Sequence, residues 1–269
     1  MNGFADFQNR AWIRATLEMQ TALAVGSRVS LDPVGTDMPV MKDPYGRPLI
    51  PGSSIKGVVR SLAERILRTV NRRPDWWACD PFDQDTMCIS PSRRDELWRE
   101  AGEKDGPFTE LLMTHSCTAC RLFGSPWMAG RVAFKDAYLA NPEALPITTQ
   151  IRDGVGIDRD LGAARSGVKY DFETVVPGAQ FAIEVVTENL KDWELGFLLT
   201  VLRLWEEGGI ALGGKTTRGP GWGVLKDIQI TRVTRETLMD YLTTGATTPG
   251  DVESLREAFW RKWQEGNHA

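Results

Sequence analysis

The spacing of apolar residues changes several times along this chain, and the order of those changes narrows the fold more than any other feature. Over residues 11–25 the pattern alternates, with Ile13, Ala15, Leu17 and Met19 on one face, which predicts a strand. After the Pro51-Gly52 turn the spacing becomes helical. Ile55, Val58, Val59, Leu62, Ile66, Leu67 and Val70 share one face of a helix, and Ser53 or Ser54 is placed to cap it. Residues 131–139 read as a strand, and so do 179–187, with Phe181, Ile183 and Val185 on one side. A second helix spans 192–207 through Leu195, Leu198, Leu199, Leu202 and Trp205, and a last strand ends at Val233. Without the intervening segments the order is strand, helix, one or two strands, strand, helix, loop, strand. That order predicts an α+β fold with a ferredoxin-like βαββαβ core. RNA-recognition domains often use such a sheet.

The excursions from this core are distinct in composition. Residues 71–128 carry all four cysteines, several Trp and Pro residues and no long periodic run, so they read as an insertion. Residues 147–178 are rich in Gly and charge and predict a long hairpin or arm. The segment from 234 to 269 reads as a tail, with an amphipathic helix at 251–265 through Leu255, Phe259 and Trp263. The chain is read as one domain with these additions.

Of the 269 residues, 42% are hydrophobic and 25% charged, ordinary values that argue against disorder over most of the length. No window is apolar enough to span a membrane, and the N-terminal MNGFADFQNRAWIR has no basic start followed by an apolar core. The expectation is a cytoplasmic protein with no membrane partner. The net charge of −4 speaks weakly against nucleic acid, but the cations are clustered. Between residues 42 and 73 lie Lys42, Arg47, Lys56, Arg60, Arg65, Arg68, Arg72 and Arg73, opposed only by Asp43 and Glu64. Two readings stand: local RNA contact, or a solvated helix face.

Residues 209–216, GIALGGKT, fit the spacing of a nucleotide-binding phosphate loop. That loop requires a strand before it and a helix after it. Here a predicted helix precedes it and Gly219, Pro220 and Gly221 follow, so an ATPase reading fails on context. A glycine-rich turn bearing Lys215, Thr216 and Arg218 still suits a phosphate backbone. The alternative is a tight turn into the last strand.

Four segments, in this order, resemble the RAMP superfamily: IPGSSIKGVVR (50–60), CRLFG (120–124), GVGIDRDLGAARSGVKYDFE (154–173) and GGKTTRGPGWG (213–223). The chain looks most like the repeated backbone subunit of type III CRISPR effector complexes. That resemblance implies binding to guide RNA and target RNA, and assembly with other effector subunits, including further RAMP-type chains. It implies that residues 148–175 form a thumb that interrupts the guide–target duplex. It places Ser53, Ser54, Lys56 and Arg60 near guide phosphates, a role that a helix N-terminus favours physically.

Target-cleaving members carry an aspartate just before a P-V-[IM]-K-D run. Here TDMPVMKD (36–43) puts Asp37 at that place. The resemblance implies cleavage with Mg²⁺ or another divalent cation, the target's own 2′-hydroxyl attacking. The preceding loop, VGSRVSLDPVGT, contains Asp32 and lacks the family's Gly-Gly run. Without the resemblance Asp37 reads as a turn or capping residue. Two other roles stay open: a backbone subunit that does not cut, and an RNase that processes guide precursors. The second usually needs a general acid or base, often His, and the chain has only His115 and His268.

Cys79, Cys88, Cys117 and Cys120 include one C-x-x-C pair. With no secretion signal, a structural zinc site is favoured over disulfides, with His115 as an alternative ligand. Buried free thiols are the plainer alternative.

Overall fold

A computed structural model of the chain describes residues 4–26 and 36–265. Asp32 and His268 lie outside the described residues. The central element is strand β1 (Asn9–Met19), in which Ala11, Ile13, Ala15, Leu17 and Met19 are all buried. Its neighbours are strand β7 (Gln180–Glu188) on one side and strand β8 (Gly223–Thr234) on the other, both antiparallel. Beyond β7 lie strands β3 (Val132–Phe134) and β4 (Ala137–Leu139), which pair with successive parts of it. The short strand β2 (Leu49–Ile50) closes that edge, and strand β9 (Thr248–Gly250) closes the other beside β8.

Three expectations need adjustment. The first strand ends at Met19, not at residue 25, because the backbone of Met19 turns to bond Ala179 and Gly178. The single strand expected over 131–139 is broken at Lys135 and Asp136. The break lets the Asp136 carboxylate accept the Gly52 N–H at 2.7 Å, at the start of helix α1 (Gly52–Val70). Neither Ser53 nor Ser54 caps that helix. Pro51 is the cap residue, and its carbonyl accepts the N–H groups of Ser54 and Ile55.

Helix α1 buries Ile55, Val59, Ala63 and Leu67. It packs against helix α5 (Asp192–Glu206), whose buried side chains include Phe197, Leu198, Leu202 and Trp205. The expected insertion is more regular than its composition suggests. It holds helices α2 (Pro91–Glu100), α3 (Asp105–His115) and α4 (Thr118–Phe123). Ile89, Leu97 and Leu112 form a small core of their own there.

After helix α6 (Leu238–Thr244), the tail continues into helix α7 (Val252–Glu265), which lies on α5. A Cβ on Gly196 would sit 2.0 Å from the Leu255 carbonyl oxygen, so only glycine allows that approach. Phe259 and Trp263 then pack edge-on against Trp76, with centroids 5.4 Å away in each case. The tail thus completes the core, and truncating Phe259 to Ala would cost about 3–5 kcal/mol.

Candidate functional site

Strands β5 (Thr149–Ile157) and β6 (Ala164–Val175) form a two-stranded antiparallel hairpin separate from the main sheet. Successive side chains of a strand point to opposite faces. Along β6 that alternation sorts two functions. Tyr170 and Phe172 meet the glycine-rich loop, whereas Asp171 and Glu173 meet the loop that carries Asp37.

On the first side, Lys215 Nζ stands 4.7 Å from the Tyr170 ring centre and 4.4 Å from that of Phe172. Arg218 donates to the Tyr170 hydroxyl at 2.9 Å. Lys215 has a left-handed backbone, and Thr216–Arg218 form a single 3-10 turn with no α-helix behind it. The loop is fastened to the segment that follows β1 by the N–H groups of Gly214 and Gly221, which donate to the carbonyls of Ala24 and Ala22. This is not the strand-loop-helix context of a nucleotide triphosphatase. Arg152, Arg159, Lys215 and Arg218 line a cleft of about 690 Å³ over the hairpin. The Tyr170 ring lies across Gly154, where a Cβ would come within 2.3 Å of Tyr170 Cζ.

On the second side, Asp37 is exposed and exchanges two hydrogen bonds with Asp171. The Asp37 N–H donates to Asp171 Oδ1 at 2.9 Å, and the Asp171 N–H donates to Asp37 Oδ2 at 3.2 Å. Two residues on, the Glu173 N–H donates to the Met38 carbonyl. The Glu173 carboxylate accepts from the Val40 N–H at 3.1 Å and from Lys42 Nζ at 2.6 Å. Burial alone would raise the Glu173 carboxyl, but Lys42, Thr149 and the Val40 N–H together hold it below the ordinary carboxylate value.

Of the residues expected at the start of α1, Lys56 and Arg60 line a second groove, with Pro81, Phe82 and Gly124, whereas Ser53 and Ser54 do not. Phe82 is almost fully exposed beside Lys56. Burial, with the Arg60 charge beside it, pushes the Lys56 ammonium below its usual value. Arg60 is already engaged, donating to Glu64 Oε1 at 2.7 Å and to the Gly124 carbonyl at 3.1 Å. Burial disfavours its charge, yet Glu64 holds its value above the usual one. Part of the α1 N-terminus is occupied by Asp136, which leaves Ser53 as the exposed serine of the pair.

The four cysteines converge from three parts of the insertion. All four Sγ atoms lie within 4.8 Å of one another, with Cys79–Cys120 at 3.7 Å and Cys117–Cys79 at 3.6 Å. No disulfide joins them. Such a cluster could hold a metal ion. Hydrogen bonds from Cys120, Cys79 and Cys88 hold the Cys117 thiol far below its ordinary value, and the bond to Cys117 pushes Cys79 and Cys120 far up. One thiolate in the group opposes others unless a cation joins them. His115 is exposed and is not part of the cluster.

The structure therefore brings Asp37, Lys215 and Arg218 to one hairpin base and keeps Lys56 and Arg60 in a separate groove. The model of the RAMP superfamily matches residues 16–225, a span that contains all of these residues. The chain belongs to the RAMP superfamily. Similar curated proteins are each called CRISPR system Cms endoribonuclease Csm3. The one from Methanocaldococcus jannaschii is 28% identical over 81% of this chain and 79% of its own length. The one from Methanothermobacter thermautotrophicus is 26% identical over 93% of this chain and 97% of its own. A third, from Mycobacterium tuberculosis, is 28% identical over 65% of this chain and 63% of its own. For this RAMP chain, sequence reading does not single out Asp171, Tyr170, Arg152 or Phe82. The usable signal was the alternation in VKYDFE (168–173), which sets two rings against two carboxylates.

Proposed function

We propose that this chain is a backbone subunit of an RNA-guided type III CRISPR effector complex that binds guide RNA and cleaves the bound target. The observation that carries this reading is the meeting of an exposed aspartate and a cationic, aromatic cleft at the base of one hairpin, within a RAMP chain. The antiparallel order β3/β4, β7, β1, β8, with α1 and α5 between strands, supports reading the core as ferredoxin-like. Residues 148–175 then serve as the thumb, 71–128 as a metal-bearing insertion, and 234–269 as a tail that packs on the core.

Each part has a physical role in this reading. Lys215, Thr216 and Arg218 contact phosphates near the hairpin, Ser53 and Ser54 contact guide phosphates at the start of α1, and Lys56 does so from the groove beside it. Arg60 supports that groove through Glu64 and Gly124. Asp37 would help to hold a divalent cation, and such a cation would neutralise charge as the target's 2′-hydroxyl attacks the adjacent phosphorus and the 5′-oxygen leaves. Among the described residues the cysteines are the only group of three or more close metal-ligating side chains. A hard cation at Asp37 would therefore draw most of its ligands from RNA phosphates and water, as Mg²⁺ commonly does.

The cysteine cluster fits zinc. Tetrahedral Zn–S bonds of about 2.3 Å place sulfur atoms about 3.8 Å apart. Two of the separations here are 3.6 and 3.7 Å, and all four sulfur atoms lie within 4.8 Å of one another. Such a closed thiolate site would hold the insertion together and take no part in cleavage.

The test is to purify the tagged chain from its native host with its partners and to sequence the RNA that comes with it. Short RNAs of a defined size class with a shared repeat-derived end are expected, and a preparation free of RNA overturns the proposal.

A further inference from the structure

From Asp37 to Lys42 the loop is tied to two residues of β6, Asp171 and Glu173, while Met41 also bonds Val25 and Leu49. Five hydrogen bonds make this seam, and the pair between Asp37 and Asp171 is reciprocal. Each carboxylate accepts the other residue's backbone N–H, so the side chain and the main chain of Asp37 are both tied to Asp171. Main chain alone would allow the Asp37 carboxylate to rotate. The second bond restrains it.

Asp171 sits next to Tyr170, which meets Lys215 and Arg218 from the other face of the strand. The Asp37 loop and the glycine-rich loop therefore share one support. A shift of β6 moves both.

We propose that Asp171 is a positioning residue for Asp37, fixing its carboxylate against the hairpin base so that cleavage depends on the seat of β6. This rests on the reading of Asp37 as the cleavage carboxylate. Its chemistry is geometric: Asp171 holds the loop through the Asp37 N–H and need not touch RNA or a cation. A displacement of about 1 Å at a reacting group can lower a rate by about a hundredfold.

The experiment uses the assembled complex with guide RNA, carrying the parent chain or Asp37→Ala, Asp171→Ala or Asp171→Asn. Target binding, single-turnover cleavage at saturating target and the Mg²⁺ concentration for half-maximal rate are measured on the same samples. An asparagine side-chain oxygen still accepts the Asp37 N–H, whereas alanine cannot. The expected result is a loss of about tenfold to a hundredfold in rate for Asp171→Ala, with target affinity and Mg²⁺ dependence near those of the parent. Asp171→Asn should recover most of the rate.

Three results overturn the proposal: parental cleavage by Asp171→Ala; equal loss in both Asp171 variants with a raised Mg²⁺ requirement, which makes Asp171 a cation ligand; and loss of binding together with cleavage, which makes it a support of the hairpin. The Asp37→Ala arm separates the two readings. Full cleavage there removes the role of Asp37 itself. Lost cleavage there with parental cleavage by Asp171→Ala removes only the role of Asp171.

Discussion

Glu194→Ala should destabilise the chain more than any surface charge deletion. The Arg131 and Glu194 side chains are each only 4% exposed and meet at 2.5 Å. Arg131 also donates to Glu194 Oε2 at 3.0 Å, to the Arg121 carbonyl at 2.9 Å and to the Asn189 carbonyl at 2.8 Å. One guanidinium thus joins the start of β3, the end of β7, α4 and α5. Removing the carboxylate leaves that cation buried and half-satisfied, at a cost of about 3–5 kcal/mol. Glu194 Oε2 also accepts the Lys191 N–H at 2.9 Å, completing a capping box for α5. Loss of that cap adds about 1 kcal/mol. For a chain of this size, the two together lower the melting temperature by roughly 10–20 °C. Thermal unfolding followed by circular dichroism measures it, with Glu207→Ala as the control. Glu207 pairs with Arg203 where both side chains are more than half exposed, so its removal should cost less than about 1 kcal/mol. If Glu194→Ala melts within about 3 °C of the parent, the reasoning from buried charge is wrong.

Further outcomes follow from the same structure. Chelation should loosen residues 71–128 to proteolysis while elemental analysis of the untreated protein finds about one zinc per chain, and protein purified without zinc would refute the thiolate site. Lys56→Glu should weaken guide RNA binding without sequence preference and flatten its salt dependence; unchanged binding at every salt concentration would remove Lys56 from the interface. Arg60→Glu should also lower thermal stability, because it breaks the contacts to Glu64 and Gly124. The folded Glu173 carboxyl lies below its ordinary value, so its contribution is complete above the unfolded value of about 4.3 and is lost as pH falls through the lower folded value. Titration of that carboxyl by nuclear magnetic resonance should give a midpoint below about 4.3, and a midpoint at or above it would contradict the role of Lys42 and Val40.

Elements whose apolar spacing answers to one packing surface were readable from sequence. The helix now bounded by Gly52 and Val70, the strand from Gln180 and the helix from Asp192 lie within a residue or two of their expected limits. Spacing alone does not reveal partners distant in the chain. The break between β3 and β4 exists because Asp136 reaches Gly52, and a local pattern cannot register that contact. Helices α2 and α3 were not readable because few of their residues are buried. The cysteine cluster was legible by residue type, while the exclusion of His115 needed three dimensions. Asp37 is singled out only by the resemblance to a family, and its tie to Asp171, which spans 134 positions, has no local signal.

The central claim is tested most directly by cleavage of labelled target RNA by the assembled complex with Mg²⁺, comparing the parent with Asp37→Ala. A carboxylate that organises a cation acts mainly in the transition state, while the duplex is held by base pairing and cationic side chains. The account predicts that Asp37→Ala abolishes cutting opposite this subunit and leaves guide and target binding close to the parent's. Cutting at the parental rate by Asp37→Ala would contradict it and make this chain a backbone subunit that does not cut.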